Sequence, residues 1–330
     1  MKRSLALCLG LSCALGACSG RERRYTRRLM GTLAQVTVYG AGEARSRAAA
    51  DAVFKEWERI QKTYSAREPD SLVSRLGREA PRGWVTLDEE AYSLLEKSLA
   101  WHAMLEGRFD VTFPPLWELW ARAAETGEEP TPEEIAQALS RMGSGAIRLD
   151  PERRSVRFLK PLRIDLGGVC KDYALLRGAG VLRTELPGGT ALLDLGGDLV
   201  AYGRKPGGWR IGVRHPLRKG GLLGRLSFQG GAVLTSGCYE RFVTVGGKDR
   251  CHILDAKSGR PLEGFSSLSV VLPSIEAAHH PSVVYALMGR ERGLEAVRSM
   301  PGALAVWADL DGKVGTASAW DSRARWAAEP

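Results

Sequence analysis

The run from Arg163 to Tyr173, with the sequence R-I-D-L-G-G-V-C-K-D-Y, combines residue types that bind anionic ligands. Gly167 and Gly168 have no Cβ atom and permit positive φ, so backbone N–H groups at a helix start can converge on an anion. Lys171 follows and adds a positive charge. The segment from Leu193 to Leu199, L-D-L-G-G-D-L, repeats the pattern downstream. Glycine pairs before helices also serve packing alone, so the run by itself is a weak indication of an anion site.

Periodicity around this run predicts the elements that would position it. Apolar residues at helical spacing or helix start and stop residues predict helices over 43–63, 88–105, 133–142, 282–288 and 294–299. The glycine run itself continues into a helix at 174–177. Runs rich in β-branched residues between turn residues predict strands over 33–39, 155–159, 191–202, 209–214, 224–228, 232–235, 242–245, 268–272 and 304–308. Helices dominate the first half and strands the second, without a βαβ rhythm, which favours the α+β class.

The amino-acid composition and net charge limit the classes of partner that are expected. The chain has 330 residues, a net charge of +9, 44% hydrophobic and 26% charged residues, which is ordinary for a globular protein with a large core. Mild basicity suits an anionic ligand or a lipid headgroup surface. Only the segment 21–28 is dense in arginine, and its place beside the N-terminus indicates a linker. Nucleic acid is therefore not an expected partner.

The N-terminus has the pattern of a bacterial lipoprotein signal. Lys2 and Arg3 are basic, and the apolar stretch 5–15 is too short to span a bilayer as a helix. The following L-G-A-C resembles the lipobox, which is cleaved before its cysteine, here Cys18, so that the thiol can be acylated. We predict a signal peptide over 1–17, a lipidated tether over 18–28 and one domain over 29–330. The protein would be exported and anchored facing the periplasm, on the outer membrane if the cell has one. A plain signal peptide with an incidental cysteine is the alternative.

Three further cysteines remain in the mature chain. Cys170, Cys238 and Cys251 do not make a disulfide framework. Cys238 and Cys251 could pair in an oxidising compartment, although their spacing does not require it. The sequence has no CxxC motif and no array of histidines, so a zinc site is not expected.

Short motifs from Met30 to Gly289 occur in an order that resembles the FAD:protein FMN transferases, the ApbE-like flavin transferase family. They are Met30-Gly31-Thr32, Asp70-Ser71, 107–112 with Pro115-Leu116 and Trp120, the central I-D-L-G-G-V-C-K, 194–198, 209–216, 235–241, and 252–255 with Ser258-Gly259. Each is weak alone, but eight in order are specific. The resemblance implies an α+β fold with a T-fold-like core of mixed or antiparallel sheet. It also implies cleavage of the FAD pyrophosphate, attachment of FMN through a phosphoester to a Thr or Ser of a partner redox protein bearing a flavinylation motif, and release of AMP.

The resemblance also implies roles for individual residues. His252 is the candidate general base, because imidazole titrates near neutral pH. Arg241 is a candidate phosphate contact or a structural ion pair. The resemblance places Phe109 and Tyr64 at the FAD site; the competing interpretation is core packing, because such aromatic residues are more often core than ligand contacts. Residues that the resemblance places around FAD are Met30, Tyr64, Arg108, Phe109, Asp110, Gly167, Gly168, Lys171 and Ile253.

The expected magnesium site departs from the family pattern. In the family an Asp and a Thr of a helix reading A-D-A-L-A-T-A-L bind Mg²⁺ together with a backbone carbonyl. Here the carbonyl position is Cys170, the Asp position is His279 and the Thr position is Val283. Imidazole suits this hard ion poorly and valine has no donor atom. Asp172 stands where the family usually has glycine.

These departures leave alternatives open. One is a lipoprotein that binds FAD and has lost catalysis. Another is a site for a softer divalent ion such as manganese or zinc, since a cluster near the altered positions includes imidazoles. That cluster consists of Glu276, His279, His280 and Ser282.

Overall fold

The computed structural model describes residues 22–216, 218, 220–238, 242–279 and 281–329. Its helices are α1 (Glu43–Tyr64), α2 (Leu72–Glu79), α3 (Glu89–Met104), α4 (Pro114–Thr126), α5 (Pro132–Ser140), α6 (Gly167–Glu185), α7 (Ser282–Leu287) and α8 (Arg290–Arg298). Strands β1 to β9 are Arg23–Leu29, Thr32–Tyr39, Val85–Thr86, Ile147–Asp150, Ser155–Phe158, Thr190–Leu195, Asp198–Tyr202, Trp209–Arg214 and Leu222–Phe228. Strands β10 to β18 are Gly231–Gly237, Phe242–Val245, Lys248–Cys251, Leu254–Asp255, Arg260–Pro261, Phe265–Leu272, Leu304–Asp309, Val314–Ser318 and Arg325–Ala328.

The predicted α+β class is confirmed by a central eight-stranded sheet with helices packed on it. The strand order is β1-β2-β6-β7-β10-β15-β16-β17, and each neighbouring pair is antiparallel. Alternate residues of each strand face opposite sides. On one side, pairs such as Val36 with Leu193 are fully buried in the main core beside α1 and α6. On the other side, residues such as Val233 and Val306 pack with Trp209 of a small sheet of order β18-β9-β8.

Helices α1 and α6 pack closely, and this contact fixes the position of the glycine run. The buried Trp57 of α1 donates from Nε1 to the backbone oxygen of Ala174 in α6 at 2.7 Å. Gly178 lies at the same contact, where a Cβ atom would be 2.9 Å from Trp57 Nε1. A larger residue at 178 would separate the helices, so the glycine permits their close approach.

The predicted tether is wrong for residues 23–28, because this segment forms most of strand β1. Strand β1 pairs along its length with β2, and its residues alternate between partly buried and exposed. Arg27 donates to Asp51 at 2.7 Å and to Glu58 at 2.8 Å, both on α1. The sequence does not predict this strand, because an Arg-rich segment has no apolar alternation. The long side chains reach partners on a helix rather than on the strand itself.

The predicted strand over 191–202 is wrong in one respect, because the structure divides it into the hairpin β6–β7. Gly196 and Gly197 form the turn with φ of +71° and +94°, which suits a two-residue turn with two positive φ values. The N–H of Gly197 donates to Asp194 Oδ1 at 2.9 Å. The two L-G-G segments therefore differ: one turns a hairpin and the other starts helix α6.

Some predictions concern residues that the structure does not describe, and some observed elements were not predicted. The signal peptide, Cys18, Arg241 and His280 are outside the described residues. Helix α4 begins at Pro114 in a stretch singled out only for its aromatic residues, and strands β17 and β18 follow the predicted last strand. Within residues 22–329, apart from the gaps given above, no helix is both long enough and apolar enough to cross a membrane.

Candidate active site

A cleft of about 1130 Å³ brings most of the predicted residues together. Its walls come from the start of α6, the segment 108–113, the loop 252–256, and the strands β8 and β10. This volume lies slightly above the range of roughly 300–1,000 Å³ that is typical of small-molecule sites. The cleft is therefore large enough for an extended ligand.

Gly167 and Gly168 form the first turn of α6, and both face the cleft. The N–H of Gly167 donates to Asp165 Oδ1 at 2.6 Å. The N–H of Gly168 has no hydrogen-bond partner among the described residues, and a Cβ atom here would lie 3.6 Å from the ring of Phe109. A helix N-terminus with an unoccupied N–H group attracts anions. The expected anion site is therefore available at this turn.

Lys171 lies one helical turn further and is held by an acidic partner. Its Nζ donates to Asp198 Oδ2 at 2.9 Å, and the Lys171 side chain remains partly exposed in the cleft. The other oxygen of Asp198 accepts the backbone N–H of Thr235 at 2.8 Å. Asp198 thus fixes the ammonium group in the wall of the cleft, a contact that sequence reasoning did not identify.

Asp172 is the most unusual ionisable group of the cleft. Only 6% of its surface is exposed. Burial raises the pKa of Asp172 well above its usual range, and the nearby negative charge of Asp198 adds to this effect. Lys171 acts in the opposite direction. The raised pKa favours the neutral, protonated form of this carboxyl group.

The loop carrying His252 is fixed at several points. Arg108 Nη1 contacts Asp255 Oδ2 at 3.2 Å, and the backbone oxygen of Arg108 accepts from the N–H of Ala256 at 3.0 Å. A disulfide joins Cys238 at the end of β10 to Cys251, the neighbour of His252. His252 is partly exposed and lines the cleft. These contacts fix the position of the candidate base in the cleft that also contains the Gly167-Gly168 turn.

Ile253 contributes mainly to the rigidity of this loop. It is buried, its N–H donates to Cys251 Sγ at 3.4 Å, and its carbonyl accepts from the N–H of Leu262 at 2.9 Å. It also forms part of the cleft wall.

Asp110 lines the cleft, but its carboxylate is occupied by the protein itself. It accepts from the N–H and hydroxyl of Thr112 at 2.7 and 2.5 Å, and from the N–H and hydroxyl of Ser144 at 3.0 and 2.7 Å. His102 Nδ1 lies 3.3 Å away. These contacts join the segment around Asp110 to the turn at Ser144 and fix the carboxylate in place.

The aromatic candidates combine core packing with one face on the cleft. Phe109 packs edge-to-face on Trp101 with ring centroids 6.0 Å apart, and Tyr64 donates its hydroxyl to Glu90 at 3.0 Å. Burial raises the pKa of the Tyr64 hydroxyl, and the charge of Glu90 raises it further. Met30 has a positive φ of 51°, and its N–H donates to the side chain of Gln61. Met30, Phe109 and Tyr64 all line the cleft.

Sequence reasoning missed a basic strand and a hydroxyl pair. Arg210 and Arg214 stand on the exposed face of β8 in the cleft wall, and their spacing of four in an alternating strand is the signal that could have found them. Ser236 of β10 and Ser282 of α7 share a hydrogen bond of 2.9 Å between their hydroxyl oxygens. This pair has no local sequence signal, because its members are 46 residues apart.

The positions that resemble the family's magnesium ligands do not fit that ion. Val283 lines the cleft but has no donor atom, and His279 ends a 3₁₀ turn, Glu276–His279. Cys170 is buried and its thiol pKa is raised by burial, which leaves only its backbone carbonyl as a donor. Among the described residues, no group of three or more His, Cys, Asp or Glu residues is placed to hold a metal.

The fold and the cleft define an antiparallel α+β protein that offers a helix N-terminus, a lysine and a histidine to an anionic ligand. The model of the ApbE family matches residues 30–307, and the chain belongs to this family. An FAD:protein FMN transferase of Treponema pallidum is 28% identical over 92% of this chain and 90% of its own length. One of Klebsiella pneumoniae is 29% identical over 84% of this chain and 86% of its own length. The ApbE protein of Thermotoga maritima superposes with a TM-score of 0.80, at 29% identity, over 90% of this chain and 97% of its own.

Proposed function

We propose that this protein is an FAD:protein FMN transferase, which moves FMN from FAD to a hydroxyl group of an acceptor protein and releases AMP. Relatives that match more than four-fifths of the chain carry this activity in their names. The observation that carries the proposal is the cleft that places the Gly168 N–H, Lys171 and His252 on shared walls. An anion site beside a candidate base is what phosphoryl transfer requires.

In the proposed reaction each of these groups has a task. The acceptor hydroxyl oxygen attacks the phosphorus of the FMN moiety, a new P–O bond forms, and the pyrophosphate P–O bond breaks so that AMP leaves with the electron pair. The hydroxyl proton passes to the imidazole of His252. The start of α6 and Lys171 offset the negative charge of the phosphates. A divalent cation, when bound, would add further neutralisation of that charge.

A direct test measures AMP and FMN after incubation of the purified protein with FAD, in Mg²⁺ or in EDTA. We expect His252→Asn to lower the rate by about 10²- to 10⁴-fold, the usual contribution of a general base. His215→Asn is the matched control, because His215 is not part of the cleft wall. Bound FAD without product under any divalent metal would contradict the proposal and favour an FAD-binding lipoprotein instead.

The acceptor is proposed to be a redox subunit that presents a Ser or Thr within a flavinylation motif. The protein acceptor follows from the activity named for the relatives, and the hydroxyl from the resemblance of the motifs. Addition of a candidate subunit to the same reaction should place the mass of FMN on one Ser or Thr of that subunit.

We also propose that the protein is exported and anchored to a membrane through a lipid on Cys18, facing the periplasm. The basic and apolar start of the sequence and its lipobox-like L-G-A-C support this location. The disulfide between Cys238 and Cys251 supports it independently, because disulfides persist mainly in oxidising compartments.

A further inference from the structure

The disulfide between Cys238 and Cys251 has no role in the proposed reaction as written above. Cys251 ends strand β12, and the next residue along the chain is His252, the candidate base. Cys238 directly follows Gly237, the last residue of β10 in the central sheet. Both cysteines are buried. The bond therefore joins the backbone beside the candidate base to a strand that forms one wall of the cleft.

The Cys238 end of this link is fixed by the central sheet. The N–H of Cys238 donates to the backbone oxygen of Ser266 at 2.9 Å, which extends the antiparallel pairing of β10 with β15. Strand β15 is buried along its whole length. A functional group supported by a strand is placed more precisely than one carried by a loop alone. The disulfide gives the loop at His252 this kind of support.

The rest of this region has contacts that do not depend on the disulfide. Beyond His252, the N–H of Ala256 donates to the backbone oxygen of Arg108 at 3.0 Å. Before it, the hairpin β11–β12 packs through the buried Val245 on the apolar cluster of α4 and α5. Loss of the S–S bond is therefore expected to release His252 locally and to leave the loop and the hairpin folded.

The groups proposed to bind the phosphates lie on a different element. Helix α6 is fixed by the hydrogen bond from Trp57 to the backbone oxygen of Ala174 at 2.7 Å, and Lys171 contacts Asp198 at 2.9 Å. Neither contact involves the loop 252–256. Opening the disulfide should therefore slow proton transfer to His252 and leave the binding of FAD largely intact.

We propose that the Cys238–Cys251 disulfide positions His252 for proton transfer, so that FMN transfer reaches its full rate only after these two thiols have been oxidised. This rests on the proposed function, in which His252 is the base. The bond forms by exchange with an external disulfide: the two thiols lose two protons and two electrons, and the external disulfide is reduced to two thiols. Because disulfides persist mainly in oxidising compartments, the proposed export would convert the slow form of the enzyme to the fast form.

The test measures AMP release from FAD in Mg²⁺ by the purified full chain, before and after reduction with dithiothreitol. We expect kcat of the reduced protein to be about 10- to 100-fold lower, since a displacement of about 1 Å can cost about 10²-fold in rate. KM for FAD should stay the same, because the loss concerns the chemical step. Reoxidation with glutathione disulfide should restore kcat. The double variant Cys238→Ser/Cys251→Ser should be as slow as the reduced protein and insensitive to dithiothreitol.

Gly302→Ala is the control for a general loss of stability. Its φ is +74°, and a Cβ atom there would lie 2.7 Å from Pro273 Cβ, but neither residue lines the cleft. Under conditions in which this variant is folded, its kcat should equal that of the wild type. A fall in its kcat as large as in the reduced protein would show that stability, and not the position of His252, determines the rate.

Nuclear magnetic resonance of the imidazole rings tests the position of His252 without turnover. Reduction should shift the ring signals that are missing from His252→Asn and leave those of His102, which contacts the backbone oxygen of Phe109 at 2.9 Å, unchanged. If dithiothreitol does not open the buried bond, the double serine variant takes the place of the reduced protein in both measurements.

Unshifted His252 signals, or a reduced protein with the kcat of the oxidised form, would overturn the positioning role. An oxidised protein that forms no AMP would instead contradict the proposed function. The ring signals would then still decide whether the disulfide positions His252.

Discussion

Gly259 connects the loop that carries His252 to the helices α4 and α5, and its replacement should lower the free energy of unfolding. Its φ is +72°, and a Cβ atom at this position would lie 2.4 Å from Ile135 Cγ2. Its carbonyl also accepts from Trp120 Nε1 at 2.9 Å in the core. For Gly259→Ala the left-handed backbone costs about 1–2 kcal/mol. The steric conflict with Ile135 adds about 1–3 kcal/mol. We therefore expect a loss of about 2–5 kcal/mol in the free energy of unfolding.

Gly264 provides the matched control for this calculation. Its φ is +69°, and nothing lies within 4 Å of a Cβ atom built there. Gly264→Ala should therefore lose only the backbone contribution of about 1–2 kcal/mol. Urea unfolding of both variants gives the two free energies from the midpoints and slopes. Equal losses in the two variants would refute the argument that the Ile135 contact determines the requirement for glycine at 259.

Two further predictions concern an ion-pair network and the N-terminus. Hydrogen bonds from Arg59, together with Arg177, hold the pKa of Glu56 below its usual value. The ionised carboxylate therefore stabilises the fold above its ordinary pKa of 4.5, and this stabilisation is lost as the pH falls. Glu56→Gln should therefore lower the urea midpoint at pH 6.5 and reduce the difference between the midpoints at pH 6.5 and pH 4. If that difference is as large as in the wild type, Glu56 does not have this role. Cys18→Ser should shift the protein from the membrane fraction of cells to the soluble fraction, whereas retention in the membrane fraction would argue against a lipid anchor.

Several features were predictable from the sequence because they depend on neighbouring residues. Apolar spacing predicted α1 over 43–63, within one residue of Glu43–Tyr64, and α3 over 88–105, within one residue of Glu89–Met104. The capping residue Asp88, which accepts the N–H of Ala91 at 2.7 Å, marks the start of α3 locally. The order of short motifs predicted the family, since those motifs are themselves local strings.

Only the tertiary structure decided the partners of the side chains. Asp110 was placed with the ligand contacts, but the fold brings Ser144 to it from 34 residues away and occupies its oxygens. The pairing of Lys171 with Asp198 and the joining of Cys238 to Cys251 likewise follow from strand and helix packing.

The sequence by itself determined several helices, among them α1 and α3, the fold class and the family, and it predicts a glycine-rich anion site at the start of α6. The tertiary structure alone decided that residues 23–29 form a strand, that the second glycine pair turns a hairpin, and that Asp172 is buried near the charge of Asp198. The physical reason is that periodicity and capping act within a few residues along the chain. Burial and charge compensation instead depend on which distant elements pack together, and a local pattern does not contain that information.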